Sequence, residues 1–156
     1  MSKEYISRKG YMKLYKEYVD YDEKIIQCQR EMGESVKRDN DLRENPEYID
    51  LRVKAMYTLP EQKRIAYERY KNSIIIEDSD EYNNFDGTTV IRGSEVQLLI
   101  DGEEESYIIL GNNEGDYEKN IISCNAPISK AVLGKKVGES IIFNDMKITI
   151  LHVKKV

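Results

Sequence analysis

Two carboxylates three residues apart, in Asp41-Leu42-Arg43-Glu44, stand directly before Asn45-Pro46, a pair suited to the N-cap and first position of a helix. Carboxylates are natural ligands for hard cations such as magnesium. Magnesium takes six oxygens in near-octahedral geometry, so two side chains on an exposed turn hold it only with waters and partner groups. The same acids also suit ordinary helix-end chemistry, where a negative charge ahead of an N-terminus contributes about 0.3 to 1 kcal/mol. Spacing alone favours that second role. Asp39 and Glu47 read as solvated charges beside the pair. His152, the single histidine, has no recognisable Ser, Cys or carboxylate partner and reads as structural. Cys28 and Cys124 lack the paired spacing of a zinc site and read as buried thiols.

The elements that carry the pair are unusually long. Tyr11, Leu14, Tyr18, Tyr21, Ile25, Cys28, Met32 and Ser35 recur at alternating spacings of three and four, the heptad pattern of a coiled-coil seam. A helix from Lys9 to Arg38 would extend about 45 Å at about 1.5 Å per residue, more than a small domain needs for its own core. After the break at Asp39–Pro46 a second helix begins. Tyr48, Leu51, Ala55, Leu59, Gln62, Ile65 or Ala66, and Tyr70 can face the first, making an antiparallel hairpin. Pro60 removes one backbone donor, which predicts a kink near Leu59 or, alternatively, two shorter helices.

Beyond Glu77 the period changes. The acidic, turn-prone stretch Glu77 to Gly87 reads as a linker, dividing the chain into an N-terminal hairpin over 1–77 and a C-terminal domain over 78–156. Strands are predicted at Thr88–Ile91, Glu95–Ile100, Ser106–Leu110, Glu139–Phe143 and Lys147–Val153, with turns at Asp101-Gly102 and Asn144-Asp145. A short helix, Pro127–Leu133, starts on proline and ends at Gly134. The fold class is therefore α+β.

Composition sets limits on function. The 156 residues include no Trp, two Phe and twelve Tyr, and 34% are charged, which suits long solvated helices. No apolar run approaches the roughly 20 residues of a membrane span, and the first residues lack a signal-peptide core, so a cytoplasmic protein without membrane association is expected. The net charge is -5, with 16 basic and 15 acidic residues through Glu77 and 8 and 14 after it. That balance argues against a freestanding nucleic-acid binder, which needs excess Lys and Arg to displace counterions.

Two stretches resemble the GreA/GreB family of bacterial transcript-cleavage factors. Asn40-Asp41-Leu42-Arg43-Glu44-Asn45-Pro46-Glu47-Tyr48 is similar to the family's tip motif Gly-Asp-Leu-x-Glu-Asn-Ala-Glu-Tyr. The second likeness runs from Tyr107-Ile108-Ile109-Leu110-Gly111 through Asp116-Tyr117 and Ile122 to Ile128, then on to Ala131–Glu139. The departures are Asn40 for Gly, Pro46 for Ala, and Pro60 in the second helix.

The resemblance implies an antiparallel coiled-coil hairpin followed by an FKBP-like β-rich domain that binds RNA polymerase. It implies an accessory factor rather than an enzyme. The hairpin would enter the secondary channel of backtracked polymerase and stimulate that enzyme's own cleavage of RNA, near the RNA 3′ end. Asp41 and Glu44 would be the catalytic carboxylates, binding a Mg2+ shared with the polymerase, with no cofactor held by the chain alone. Arg43 and Arg52 match basic positions that contact RNA or polymerase, although exposed charges pairing along a helix explain them equally well. Lys37 and Arg38 are weaker candidates. Asn125, Ala126 and Pro127 fall where the family docks on polymerase, and also form a turn that starts a helix. A monomer is expected.

Three other functions compete. A polymerase inhibitor of the same architecture would occupy the channel without cleavage, and the replaced Gly and extra Asp39 leave room for it. A peptidyl-prolyl isomerase is the second, because FKBP-like folds host that activity elsewhere, but this domain has few aromatic residues to build a proline pocket. A coiled-coil adaptor, the third, would make the tip irrelevant.

Overall fold

A stripe of Tyr and aliphatic side chains at heptad spacing cannot stay in water, and the chain buries it by folding back on itself. The computed structural model describes residues 3–39, 41 and 44–156. They fall into two compact units, Met12–Asn72 and a second made of Met1–Tyr11 with Ser73–Val156.

The first unit is a helical hairpin. Helix α1 spans Arg8–Arg38, and the return arm comprises α2 at Pro46–Val53, a π-turn at Lys54–Thr58 and α3 at Leu59–Lys71. Leu14, Tyr21, Cys28 and Ser35 are buried at intervals of seven, opposite Ala55, Leu59 and Ala66. The antiparallel sense shows in the pairs. Tyr15 and Tyr18 lie 5.3 Å from Tyr70 and Tyr67 respectively, Lys63 Nζ is 2.6 Å from Asp22, and the Cys28 thiol donates to Leu51 O at 3.2 Å.

Just before Pro60 the return arm passes through the π-turn that joins its two α-helical segments. The Leu59 N–H reaches back five residues to Lys54 O, and the backbone stays right-handed helical from Val53 through Leu59. Such a widened turn accommodates a residue that has no N–H and whose ring crowds the preceding turn. It also shifts the helical phase. Gln62 and Ile65, both considered for the seam, are exposed, while Lys63 is half-buried over the Tyr18 ring and Ala66 is buried.

The second unit is built on a five-stranded sheet of order β5-β4-β3-β7-β6. Its strands are β3 at Ser94–Ile100, β4 at Glu103–Leu110, β5 at Ile121–Ser123, β6 at Ser140–Phe143 and β7 at Met146–Lys155. All neighbours are antiparallel except β4 and β5. Asp101-Gly102 and Asn144-Asp145 all have positive φ, as two-residue hairpin turns require. Helix α5, Pro127–Val132, contributes Val132 to a core with Val96, Leu98, Ile109, Ile148 and Ile150. Hairpin and sheet together make the α+β class expected from the sequence.

Three local expectations change. Thr88–Ile91 forms no strand of the sheet; Thr89 makes an isolated antiparallel bridge to Lys136, and Val90 exchanges backbone hydrogen bonds with Gly134 and Lys135. The stretch after Glu77 is not a free linker. Ile76, 1% exposed, begins a 3-10 turn at Ile76–Asp78, and helix α4 follows at Asp80–Asn83, capped by Ser79. Division of the chain falls after Asn72 rather than after Glu77, and the N-terminal residues join the second unit because β1, Glu4–Ile6, pairs in parallel with β2, Ser73–Ile75. A pairing between strands this far apart leaves no local sequence signal.

Candidate functional site

Asp41 and Glu44 sit at the reversal of the hairpin, both exposed. Backbone hydrogen bonds shape the turn: the Asp41 N–H donates to the Asp39 carboxylate at 3.0 Å, and the Glu44 N–H to Asp41 O at 3.2 Å. Asp39 is exposed, as expected of a solvated charge, and also accepts within the turn. Arg38 and Glu47 form an ion pair across the base of the reversal. Arg43, a candidate contact residue, lies outside the described residues, as do Asn40 and Leu42. Arg52 is exposed in the last turn of α2.

Asn45 ties this turn to the hairpin. Its side-chain oxygen accepts from the Tyr48 N–H at 3.1 Å, the N-cap role expected with Pro46 behind it. Its amide then donates to Ser35 Oγ at 2.9 Å and Ser35 O at 3.3 Å. Both residues are buried, Ser35 to 1% and Asn45 to 5% exposure. The sequence reading found the cap but missed the bridge. A serine occupying an otherwise apolar heptad row was the available signal, since a buried hydroxyl requires a partner.

Asn125, Ala126 and Pro127 form the turn into α5. The Ala126 N–H donates to Ser123 O at 3.0 Å, Ala126 is the N-cap and Pro127 the first helical residue. Asn125 and Pro127 are exposed. Ala126 lines a groove of about 500 Å³ with Tyr107, Asp116, Tyr117 and Ile122. Tyr117 is 96% exposed. Tyr107 donates its hydroxyl to Glu105, and that carboxylate, with partial burial, pushes the phenol up to about 12. His152 lies exposed on β7, and the Cys28 and Cys124 thiols are buried.

The family described as "Transcription elongation factor, GreA/GreB, C-term" matches residues 86–155. Transcription elongation factor GreA of Bacillus cytotoxicus is 34% identical over 122 residues, covering 73% of each chain. GreA of Nautilia profundicola is 31% identical over 156 residues, covering 92% of this chain and 87% of its own. The chain belongs to the GreA/GreB family. Members of the GreA/GreB family are accessory transcription factors, not enzymes. Solved structures are more distant. The transcription factor Gfh1 covers 98% of this chain and 99% of its own at 18% identity and a TM-score of 0.43, and a GreA/GreB protein from Nitrosomonas europaea covers 68% and 88% at 18% and 0.42.

For a GreA/GreB protein, the chemistry of the tip is that of two exposed carboxylates, Asp41 and Glu44. This donor set fits part of a magnesium shell. Asp41 and Glu44 could offer two anionic oxygens to such an ion, whose other positions would need water and groups of another molecule.

Proposed function

We propose that this GreA/GreB member binds RNA polymerase through the secondary channel and stimulates the polymerase's own cleavage of backtracked RNA. The observation that carries the reading is the placement of Asp41 and Glu44, exposed at the reversal of a long hairpin whose turn is bolted by the buried Asn45–Ser35 bridge. A carboxylate pair that must reach into another protein's active site needs a restrained approach to the turn, and the Asn45–Ser35 bridge supplies one at the start of α2.

Asp41 and Glu44 would hold one Mg2+ shared with the polymerase, and in a two-metal site one ion would activate water while the other would stabilise the leaving oxygen in RNA hydrolysis. Arg52, exposed on α2, and Arg43 are placed in sequence to meet RNA phosphates beside it. The Asn125–Pro127 turn and the adjacent groove, with Tyr117 projecting from its wall, form the docking surface for polymerase. The factor acts as a monomer at the RNA 3′ end.

The test is a backtracked elongation complex, incubated with and without the protein and resolved by RNA length across a magnesium series. Asp41→Ala and Glu44→Ala should abolish stimulated cleavage while competition binding stays nearly intact. Raised magnesium should partly restore the single variants and restore the double variant less. Wild-type rates in the double variant would rule out the metal-ligand role, and equal loss of binding and cleavage would make the tip a docking element. Binding and inhibition by the wild type, with no cleavage at any magnesium level, would turn the assignment to a channel-blocking inhibitor.

A further inference from the structure

Helix α1 begins without any acid in its first turn, and Gly10 occupies its third position. Glycine is the poorest helix former apart from proline, and the third position usually favours Glu or Gln, which reach back to the N-cap N–H. Here the cap residue is Ser7, whose Oγ accepts from the Gly10 N–H at 3.1 Å and whose carbonyl accepts from Tyr11 N–H at 2.8 Å. The missing carboxylate comes from Glu114, distant in sequence. Its two oxygens accept from the Ser7 N–H at 2.8 Å and the Ser7 hydroxyl at 2.5 Å, and also from the Gly111 N–H at 2.8 Å.

The glycine follows from this arrangement. A Cβ at Gly10 would lie 2.2 Å from Glu114 Oε1 and 2.8 Å from Ile6 Cγ1, so any side chain there would displace the carboxylate. Glu77 adds a second grip by accepting from the Arg8 N–H at 2.8 Å, while the Arg8 guanidinium pairs with Asp78. Next to Glu114, Asn112 and Tyr5 exchange hydrogen bonds at 3.2 and 2.7 Å. Two carboxylates distant in sequence, both in the unit that also holds Ser7 to Tyr11, therefore meet the positive end of helix α1, which continues to Arg38.

We propose that Glu114 is a positioning residue for the activity at the tip: by completing the cap of α1 from another part of the chain, it anchors the root of the helix that carries Asp41 and Glu44. This rests on the cleavage reading above. Glu114 touches neither RNA nor metal, and its effect passes through α1.

Three full-length variants test it: Glu114→Ala, Glu114→Gln, and Glu114→Ala combined with Gly10→Glu. The last returns a carboxylate to the helix's own third position while leaving the long-range contacts of Glu114 with Ser7 and Gly111 broken. Cleavage is read as maximal rate and half-saturating concentration on backtracked complexes. Amide exchange at Ser7, Gly10 and Tyr11 is read on the free protein. Glu114→Ala should speed exchange at these amides and lower the maximal rate on the order of ten- to a hundredfold, the scale of a small misplacement remote from the chemistry. Half-saturation should change less than threefold. Glu114→Gln, which keeps an acceptor, should fall between.

In the combined variant exchange should slow again while the maximal rate stays low. Recovery of both would reduce Glu114 to helix capping and overturn the proposal, as would an unchanged maximal rate in Glu114→Ala. If the wild-type protein itself fails to cleave, the cleavage reading fails, and unchanged amide exchange in Glu114→Ala would separately overturn the anchor.

Discussion

Replacing Asn45 by alanine tests whether the tip is held by its buried bridge. The substitution removes the acceptor for the Tyr48 N–H, an N-cap loss worth about 1 kcal/mol. It also removes the amide that donates to Ser35 Oγ at 2.9 Å, leaving a hydroxyl that is 1% exposed without this partner, at a cost of about 1 to 3 kcal/mol. The expected destabilisation of the hairpin is therefore about 2 to 4 kcal/mol. For a unit of this size that lowers the melting temperature by more than about 8 °C. Ser35 O keeps the Asp39 N–H at 3.0 Å, so the carbonyl adds little to the loss.

Asn45→Asp keeps the cap but replaces the amide with a buried carboxylate that can only accept from the Ser35 hydroxyl, so it tests the added charge rather than the bridge alone. Ser35→Ala removes only the hydroxyl and should cost less than Asn45→Ala. Urea unfolding followed by far-ultraviolet circular dichroism, run as a double-mutant cycle, should give a coupling energy of at least about 0.5 kcal/mol. If Asn45→Ala stays within about 0.5 kcal/mol of wild type, or the cycle is additive, the bridge does not hold the tip. In the cleavage assay Asn45→Ala should lower rate more than affinity.

The remaining expectations concern the second unit. Replacing Pro127 with alanine should weaken polymerase binding more than it lowers the melting temperature, and a large loss of stability with unchanged affinity of the folded fraction would leave only a structural role. A fragment starting at Thr88 should be less stable than one starting at Ser73 by about 1.5 to 3 kcal/mol or more, because it loses the fully packed Ile76; equal urea midpoints would refute this. Gly111→Ala should destabilise by about 1 to 3 kcal/mol, since its Cβ would meet Tyr5 O at 2.2 Å and Ile6 Cα at 2.5 Å, and unfolding curves measure it directly. The Asp86 carboxyl is held well below the usual carboxylate range, first by the Thr88 N–H and then by Thr89. Its contribution is complete above about pH 4 and is lost as pH falls toward the folded value, so Asp86→Ala should flatten the acid limb of stability against pH.

Heptad spacing, the Asn45-Pro46 start of α2, the positive-φ turns and the short helix starting at Pro127 were legible because each depends on residues close in sequence. The seven-residue period of Leu14, Tyr21, Cys28 and Ser35 specifies a buried stripe whatever covers it. The carboxylate pair was legible in the same local way, and its position at a reversal followed from the helices on either side. Within the return arm, the sequence located the disturbance near Leu59 but not its form. The choice of a π-turn depends on how Leu59, Lys63 and Ala66 pack against α1, and that contact exchanged Gln62 for Lys63 in the seam.

What tertiary structure decided has a common cause. The β1–β2 pair, the Val90 contacts with the loop after α5, the burial of Ile76, the Asn45–Ser35 bridge and the Glu114 cap all join groups that are separated along the chain. Their partners carry no shared local pattern. A glycine where a helix favours glutamate, and a serine in an apolar row, were visible as departures from local preference. Only the folded chain brought the missing carboxylate to one and the amide to the other, because a hydrogen bond depends on distance in space and not on distance in sequence.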